Sequence, residues 1–219
     1  MSPHVWAALL AAGLALEAGS AGFQMEGMRE VALERHGVTG RLAVERWQAV
    51  LAQWRGLPED QMLREVNAYF NRNIRYEEDL TTWGVVDYWA TPLELLARGA
   101  GDCEDFVFAK YFTLRELGFR DENLRMTYVR VQTGSAGREG TQAHMVLSYH
   151  SGPGQAPLIL DNLLADVRTA GARPDLEPVF SFNTQGVFAQ GAVRATSPAD
   201  RLSRWREMLV RMRSEGYRP

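Results

Sequence analysis

Between residues 26 and 55 the apolar positions Val44, Trp47, Val50, Leu51 and Trp54 recur at helical spacing, which predicts a helix with one buried stripe. The stretch "HGVTG" (36–40) interrupts this pattern and divides it into two helices. Leu57-Pro58 opens a third helix, "EDQMLREVNAYFNRNI", with proline and acids in its first turn and Met62, Val66, Tyr69 and Phe70 facing inward. "TTWGVVDYWATPLELLARG" reads mostly as loop, with a short helix from Pro92 ended by Gly99. From Asp102 to about Leu117 the chain is apolar on nearly every side, the mark of a helix surrounded by protein.

After that helix the period of the pattern shortens. "LRMTYVRVQT", "AHMVLSYH" and "PLILDNL" read as strands, separated by the turn regions "GSAGREG" and "SGPGQA". A short "PVFSFN" strand and a basic helix, "RLSRWREMLVRMRSEG", complete the chain. With no repeat, low-complexity segment or linker, residues 22–219 are expected to form one α+β domain, helices first and antiparallel strands after.

The first 21 residues stand apart. "VWAALLAAGLAL" is too short to span a bilayer as a helix, and the small residues of "EAGSAGF" follow it. This is the pattern of a signal peptide cleaved after Ser20 or Ala21, although the preceding "MSPH" lacks Lys and Arg. Export to the periplasm is the expectation, with no membrane insertion of the mature chain. Composition adds little: a net charge of −3 gives no reason to expect a nucleic-acid partner. Lys110 is the only lysine, and with one cysteine no internal disulfide can form.

That cysteine, Cys103, lies in "GAGDCEDF" between Asp102 and the pair Glu104 and Asp105. A nucleophilic thiol needs a base and a group to orient the base. His144 and His150 flank one strand on the same face, roughly 20 Å apart, so only one can meet Cys103. If His144 faces Asp161, then Val146 faces Ile159 and Ser148 faces Pro157, a register that sets an imidazole beside a carboxylate. The alternative is a structural His–Asp pair and an inert buried cysteine. At the start of a helix the sulfur lies near the positive dipole end, and backbone N–H groups there can face an oxyanion. Asp102 and Asp105 are also spaced as N-cap and N3, and capping alone would account for them.

The magnitudes favour a further ion. One carboxylate about 6 Å from the sulfur opposes ionisation by roughly 3 kcal/mol at an effective dielectric near 20. A helix terminus returns at most about 2 kcal/mol. Three uncompensated acids therefore outweigh the dipole, and a bound cation reverses the sign. Asp102, Glu104 and Asp105 offer only oxygen, which suits Ca²⁺ better than Zn²⁺. Trp83 and Trp89 are candidates for the cleft wall, His150 for a surface strand end and His36 for a helix end. The basic C-terminal helix is either a solvated face or a receptor-docking surface.

"DYWATPLELLARGAGDCEDFVFAKYFTLRELGF", with "LRMTYV", "AHMVLSY" and "LILDNL" downstream, resembles the bacterial transglutaminase-like cysteine proteinases from about Val66 to the C-terminal tail. The resemblance implies a papain-like or transglutaminase-like core, with a helical N-terminal lobe against a sheet that bears the catalytic His and Asp. It implies a Cys103, His144, Asp161 triad and calcium dependence through Asp102, Glu104 and Asp105. It further implies cleavage, at a pair of alanines, of the N-terminal retention region of a large RTX-type surface adhesin, with dispersal of biofilm. The implied control is sequestration by the periplasmic domain of an inner-membrane cyclic-di-GMP receptor. The segment "VQTGSAGREGTQ" is longer than the family pattern leads one to expect. Acyl transfer from glutamine to an amine, and an inert calcium-controlled binding module, are the competing readings.

Overall fold

A computed structural model describes residues 22–134, 140–152 and 154–219. The leader expected at 1–21 and part of the long turn before His144 lie outside the described residues. The first helix, α1 (Met25–Trp54), joins the two expected helices with only Gly37 leaving helical geometry, at φ 67°. Glycine adopts that angle without a Cβ clash, so the axis bends at one residue and resumes at once. His36, placed at a helix end from sequence, therefore lies at an internal bend. The stripe Val44, Trp47, Leu51 and Trp54 is buried as expected.

The second helix, α2 (Glu59–Asn73), buries Met62, Leu63, Val66, Asn67 and Phe70. A single turn, α3 (Asp79–Thr82), interrupts the expected loop. Next comes α4 (Pro92–Arg98), which starts with a capping box: the Glu94 N–H donates to Thr91 Oγ1 at 3.1 Å and the Thr91 N–H to Glu94 Oε2 at 2.8 Å. The central helix, α5 (Cys103–Glu116), is buried on almost every side. It packs against α2 and α4 on one flank and against two strands on the other.

Short strands β1 (Gly22–Phe23), β2 (Arg75–Tyr76) and β3 (Ala100–Gly101) precede the main sheet. That sheet contains β4 (Leu124–Thr133), β5 (Gly140–Tyr149), β6 (Leu158–Leu160), β7 (Arg168–Thr169), β8 (Leu176–Asn183) and β9 (Gly186–Ala189). Its order is β7-β6-β5-β4-β8-β9, antiparallel throughout. The chain ends with α6 (Ser203–Ser214) and β10 (Tyr217–Arg218), and β10 pairs with β1. No helix of the described residues is long and apolar enough to cross a membrane.

Alternation along the strands divides the sheet into two faces. Met126, Met145, Leu147, Leu160 and Phe182 enter the main core with α5. Val129, Val131, Val146 and Ile159 form a smaller cluster on the opposite face. Aromatic stacking joins α6 to this core, with Phe112 and Trp205 stacked at 5.9 Å and Phe108 against Trp205 at 5.7 Å.

Trp47 is sealed in the core, and its indole N–H donates to Thr113 Oγ1 at 3.0 Å. Trp47→Ala is expected to cost about 3–5 kcal/mol in urea unfolding, whereas truncating the 83% exposed Val193 to Ala stays within about 0.5 kcal/mol.

Candidate active site

Cys103 is the first residue of α5, and two glycines shape the approach to it by different means. Gly99 ends α4 in the left-handed region at φ 67°. Gly101 is needed for space, since a Cβ there would meet Asp105 Oδ2 at 2.5 Å and Leu95 Cδ1 at 2.6 Å. The parallel pairing of β2 with β3 then holds the segment just before the thiol against Arg75 and Tyr76.

The capping expectation for α5 is corrected by the structure. Asp102 occupies the N-cap position, but its side chain makes no capping hydrogen bond. Asp105 is turned back to accept the Ala90 N–H at 2.7 Å. The two acids are thus left for another purpose, and a third that sequence reading missed, Asp79, joins them. One carboxylate oxygen from each of Asp79, Asp102 and Asp105 lies within 4.8 Å of the others. Asp79 Oδ1, Asp102 Oδ1 and Asp105 Oδ2 are buried with no hydrogen-bond partner among the described residues.

Glu104 stands apart from that trio. Its Oε2 accepts a hydrogen bond from Cys103 Sγ at 3.0 Å, and it clusters with Asp102 and the sulfur. The expected ligand set of Asp102, Glu104 and Asp105 is therefore drawn as two overlapping groups with Asp102 in both.

Burial and crowding act on these groups in one direction. Burial, then the charges of Glu104, Asp105 and Asp79, push the Asp102 carboxyl far above the ordinary range. Burial raises Asp105 likewise, against the pull of the Ala90 N–H. Asp79 is raised to about 6, mainly by burial. The Cys103 thiol is pushed well up by burial, then by the charge and hydrogen bond of Glu104 and by Asp102; the Met145 N–H opposes this. Unpaired buried carboxylates either stay protonated or take a cation. An all-oxygen cluster with unsatisfied acceptors fits a hard divalent ion such as Ca²⁺, whose remaining oxygens would be carbonyls and water.

His144 and Asp161 meet as expected, with His144 Nε2 and Asp161 Oδ1 2.8 Å apart. The register that joins them differs from the expected one. Leu147 faces Leu160, Ser148 faces Ile159 and Tyr149 faces Leu158, a shift of two residues that preserves the face. The ladder stops at Leu160, so Asp161 reaches His144 along the diagonal.

Arg173, also missed from sequence, completes the group: its Nη1 donates to Asp161 Oδ2 at 2.8 Å, and its Nη2 to Asp175 Oδ2 at 2.7 Å. The Leu163 N–H donates to Asp161 Oδ1 at 3.0 Å. Burial alone would raise the Asp161 carboxyl, but His144, the Leu163 N–H and Arg173 together hold it at about 2. Behind Asp161, Asn71 Nδ2 donates to its carbonyl at 2.8 Å. Asn67 Nδ2 bonds the carbonyls of Leu164 and Ala165, while Asn67 Oδ1 accepts from the buried Lys110 Nζ at 2.8 Å.

Cys103 and His144 line one cleft of about 370 Å³ with Asp79, Asp102, Glu104, Tyr76 and Tyr128. Neither tryptophan expected there is present. Trp89 is buried 4.9 Å from Phe108 and 5.8 Å from Phe182, and Trp83 packs on Tyr88 at 4.9 Å. Tyr76 and Tyr128 supply the aromatic walls instead. His150 is half-buried beside Ser148 Oγ at 3.2 Å, and burial, then Arg125, lower it to about 4. Two arginines of α6 are tied to the loop before α4: Arg204 pairs with Asp87 at 2.8 Å, and Arg211 reaches the Trp89 carbonyl.

Arg173→Leu leaves the buried Asp161 carboxylate one charge partner short and is expected to cost about 3–5 kcal/mol by urea unfolding. The acids give a prediction of opposite sign to ordinary acid denaturation. A carboxyl whose folded pKa is raised keeps its proton in the fold where the unfolded chain, at about 4, has lost it. Stability is therefore fully present at the acid end and falls as pH rises, through about 6 for Asp79 and beyond for Asp102 and Asp105. In chelating buffer, Tm should fall between about pH 5 and about pH 7.5, and Asp102→Asn should flatten the slope.

Comparison with known proteins agrees with this architecture. A family model described as bacterial transglutaminase-like cysteine proteinase matches residues 52–173. The solved structure of Legionella pneumophila LapG is 36% identical and superposes with a TM-score of 0.73, covering 88% of this chain and 99% of that one. Its EGTA-treated form gives 0.76 at 36% identity, covering 88% and 100%. Its calcium-bound form gives 0.73 at 36% identity, covering 86% and 98%. No curated protein sequence matches the chain. The chain has the transglutaminase-like fold and belongs to the bacterial transglutaminase-like cysteine proteinases.

Proposed function

We propose that this cysteine protease is a calcium-dependent periplasmic endopeptidase whose triad is Cys103, His144 and Asp161. The reading rests on one observation above others: a His144–Asp161 pair 2.8 Å apart opens into the same cleft as a thiol at a helix N-terminus. Because Nε2 faces Asp161, Nδ1 is the ring nitrogen left for the sulfur. Nδ1 takes the thiol proton as the sulfur attacks a peptide carbonyl, then returns it to the leaving amine. Water, deprotonated by the same nitrogen, releases the acyl group. Asp161 holds the ring and stabilises the imidazolium, and Arg173 holds Asp161 in place.

Asp79, Asp102 and Asp105 would hold the calcium ion, with Glu104 beside them. When bound, the ion supplies positive charge against the field that opposes thiol ionisation. The Legionella relative, with calcium-bound and EGTA-treated forms, supports this assignment. The family resemblance supports a large RTX-type adhesin as substrate, cut in its N-terminal retention region at paired alanines. It also supports biofilm release, and restraint by the periplasmic domain of a cyclic-di-GMP receptor.

The test is incubation of purified protein with a candidate adhesin N-terminal fragment, in calcium or in EGTA. Cleavage into two products with new termini is expected in calcium. Loss of at least about a thousandfold is expected for Cys103→Ala and His144→Ala. Undiminished cleavage in EGTA would overturn the calcium assignment, and a cross-linked product with ammonia loss would show acyl transfer instead.

A further inference from the structure

Main-chain groups in an antiparallel strand alternate sides, so a residue bonded to one neighbour turns nothing toward the other. The His150 N–H bonds the Asn123 carbonyl at 2.7 Å, in line with the β4–β5 register, so even-numbered residues of β5 face β4. Odd-numbered residues face outward. Leu147 and Tyr149 meet Leu160 and Leu158 of β6, and the Met145 N–H points at the Cys103 sulfur. Because β6 is three residues long, Thr141 and Ala143 have no strand beside them on that edge among the described residues.

The open edge leads into the catalytic cleft. Gln142, Ala143 and His144 line the cleft with Cys103, and both Thr141 and Ala143 are exposed. The same cleft is lined by Tyr76, Leu80 and Val86, which are 45%, 63% and 76% exposed, and by Glu78 and Asp87. Apolar side chains in one cleft with main-chain N–H and C=O groups that no strand of the described residues pairs make a seat for an extended chain, and the acids there disfavour an acidic one.

We infer that Thr141 and Ala143 form a main-chain docking edge on which an extended, non-acidic segment of the polypeptide substrate lies as an added strand, bringing its scissile carbonyl to Cys103. The inference rests on the proposed role of Cys103 as nucleophile. The two docking residues are about 6.6 Å apart, so they engage alternate residues of the substrate. Recognition through backbone groups tolerates varied side chains at the docked positions and rejects proline there, because proline has no N–H.

The probe is acetyl-tetra-alanine chloromethyl ketone, whose chloride is displaced by the Cys103 sulfur, with each amide N–H methylated in turn. Iodoacetamide, which has no peptide backbone, serves as reference, both read by mass spectrometry in calcium. The parent peptide is expected to label faster than iodoacetamide. Methylation at alternate positions should slow it by about fivefold or more, the equivalent of a lost hydrogen bond, with little effect between them. Thr141→Pro removes an N–H that β4 does not use and should lower the peptide-to-iodoacetamide rate ratio. If iodoacetamide labels Cys103 but every methylated peptide reacts alike, the docking edge is wrong and the nucleophile assignment stands. If iodoacetamide leaves Cys103 unmodified, both fall together.

Discussion

Buried negative charge at the start of α5 is the constraint to which the rest of the site answers. Asp79, Asp102 and Asp105 come from two separate stretches of chain, yet the fold closes them into one cluster with unsatisfied oxygens. Such a cluster costs stability unless neutralised. It also raises the energy of the thiolate beside it. Whatever neutralises the acids therefore favours the folded arrangement and the reactive form of the sulfur together.

The opposite side of the cleft answers a different electrostatic demand. Asp161 is buried too, but it is surrounded by donors: His144, Arg173 and the Leu163 N–H. It stays ionised where Asp102 and Asp105 resist ionisation. The contrast between carboxyls in one small region comes from partners rather than from burial, which all three share. Helix α5 spans both regions, presenting Cys103 at its first residue and Lys110 toward the loop that follows Asp161.

Elements with a strong period were legible in the sequence. β4 spans the residues its alternation marks, and α5 begins at Cys103, because burial on one side or all sides leaves a local signature. The His144–Asp161 partnership was legible because strand parity fixes the face. The register was not, since a shift of two residues keeps every side chain on its face, and only the long connection decides between the alternatives. Asp79 and Arg173 had no signal: each reaches its partner across the fold, from a one-turn helix and an irregular loop. The capping pattern at Asp102 and Asp105 misled because tertiary demand took both carboxylates, while the working capping box lies at Thr91 and Glu94.

Lys110 has a consequence for the chemistry of the family. It is the only lysine in the chain, and it is fully enclosed, donating to Asn67 behind the loop that bears Asp161. Were Cys103 to carry an acyl group, as proposed, that group would find no lysine amine on the surface of its own molecule. Composition and burial together thus close lysine self-acylation to this chain.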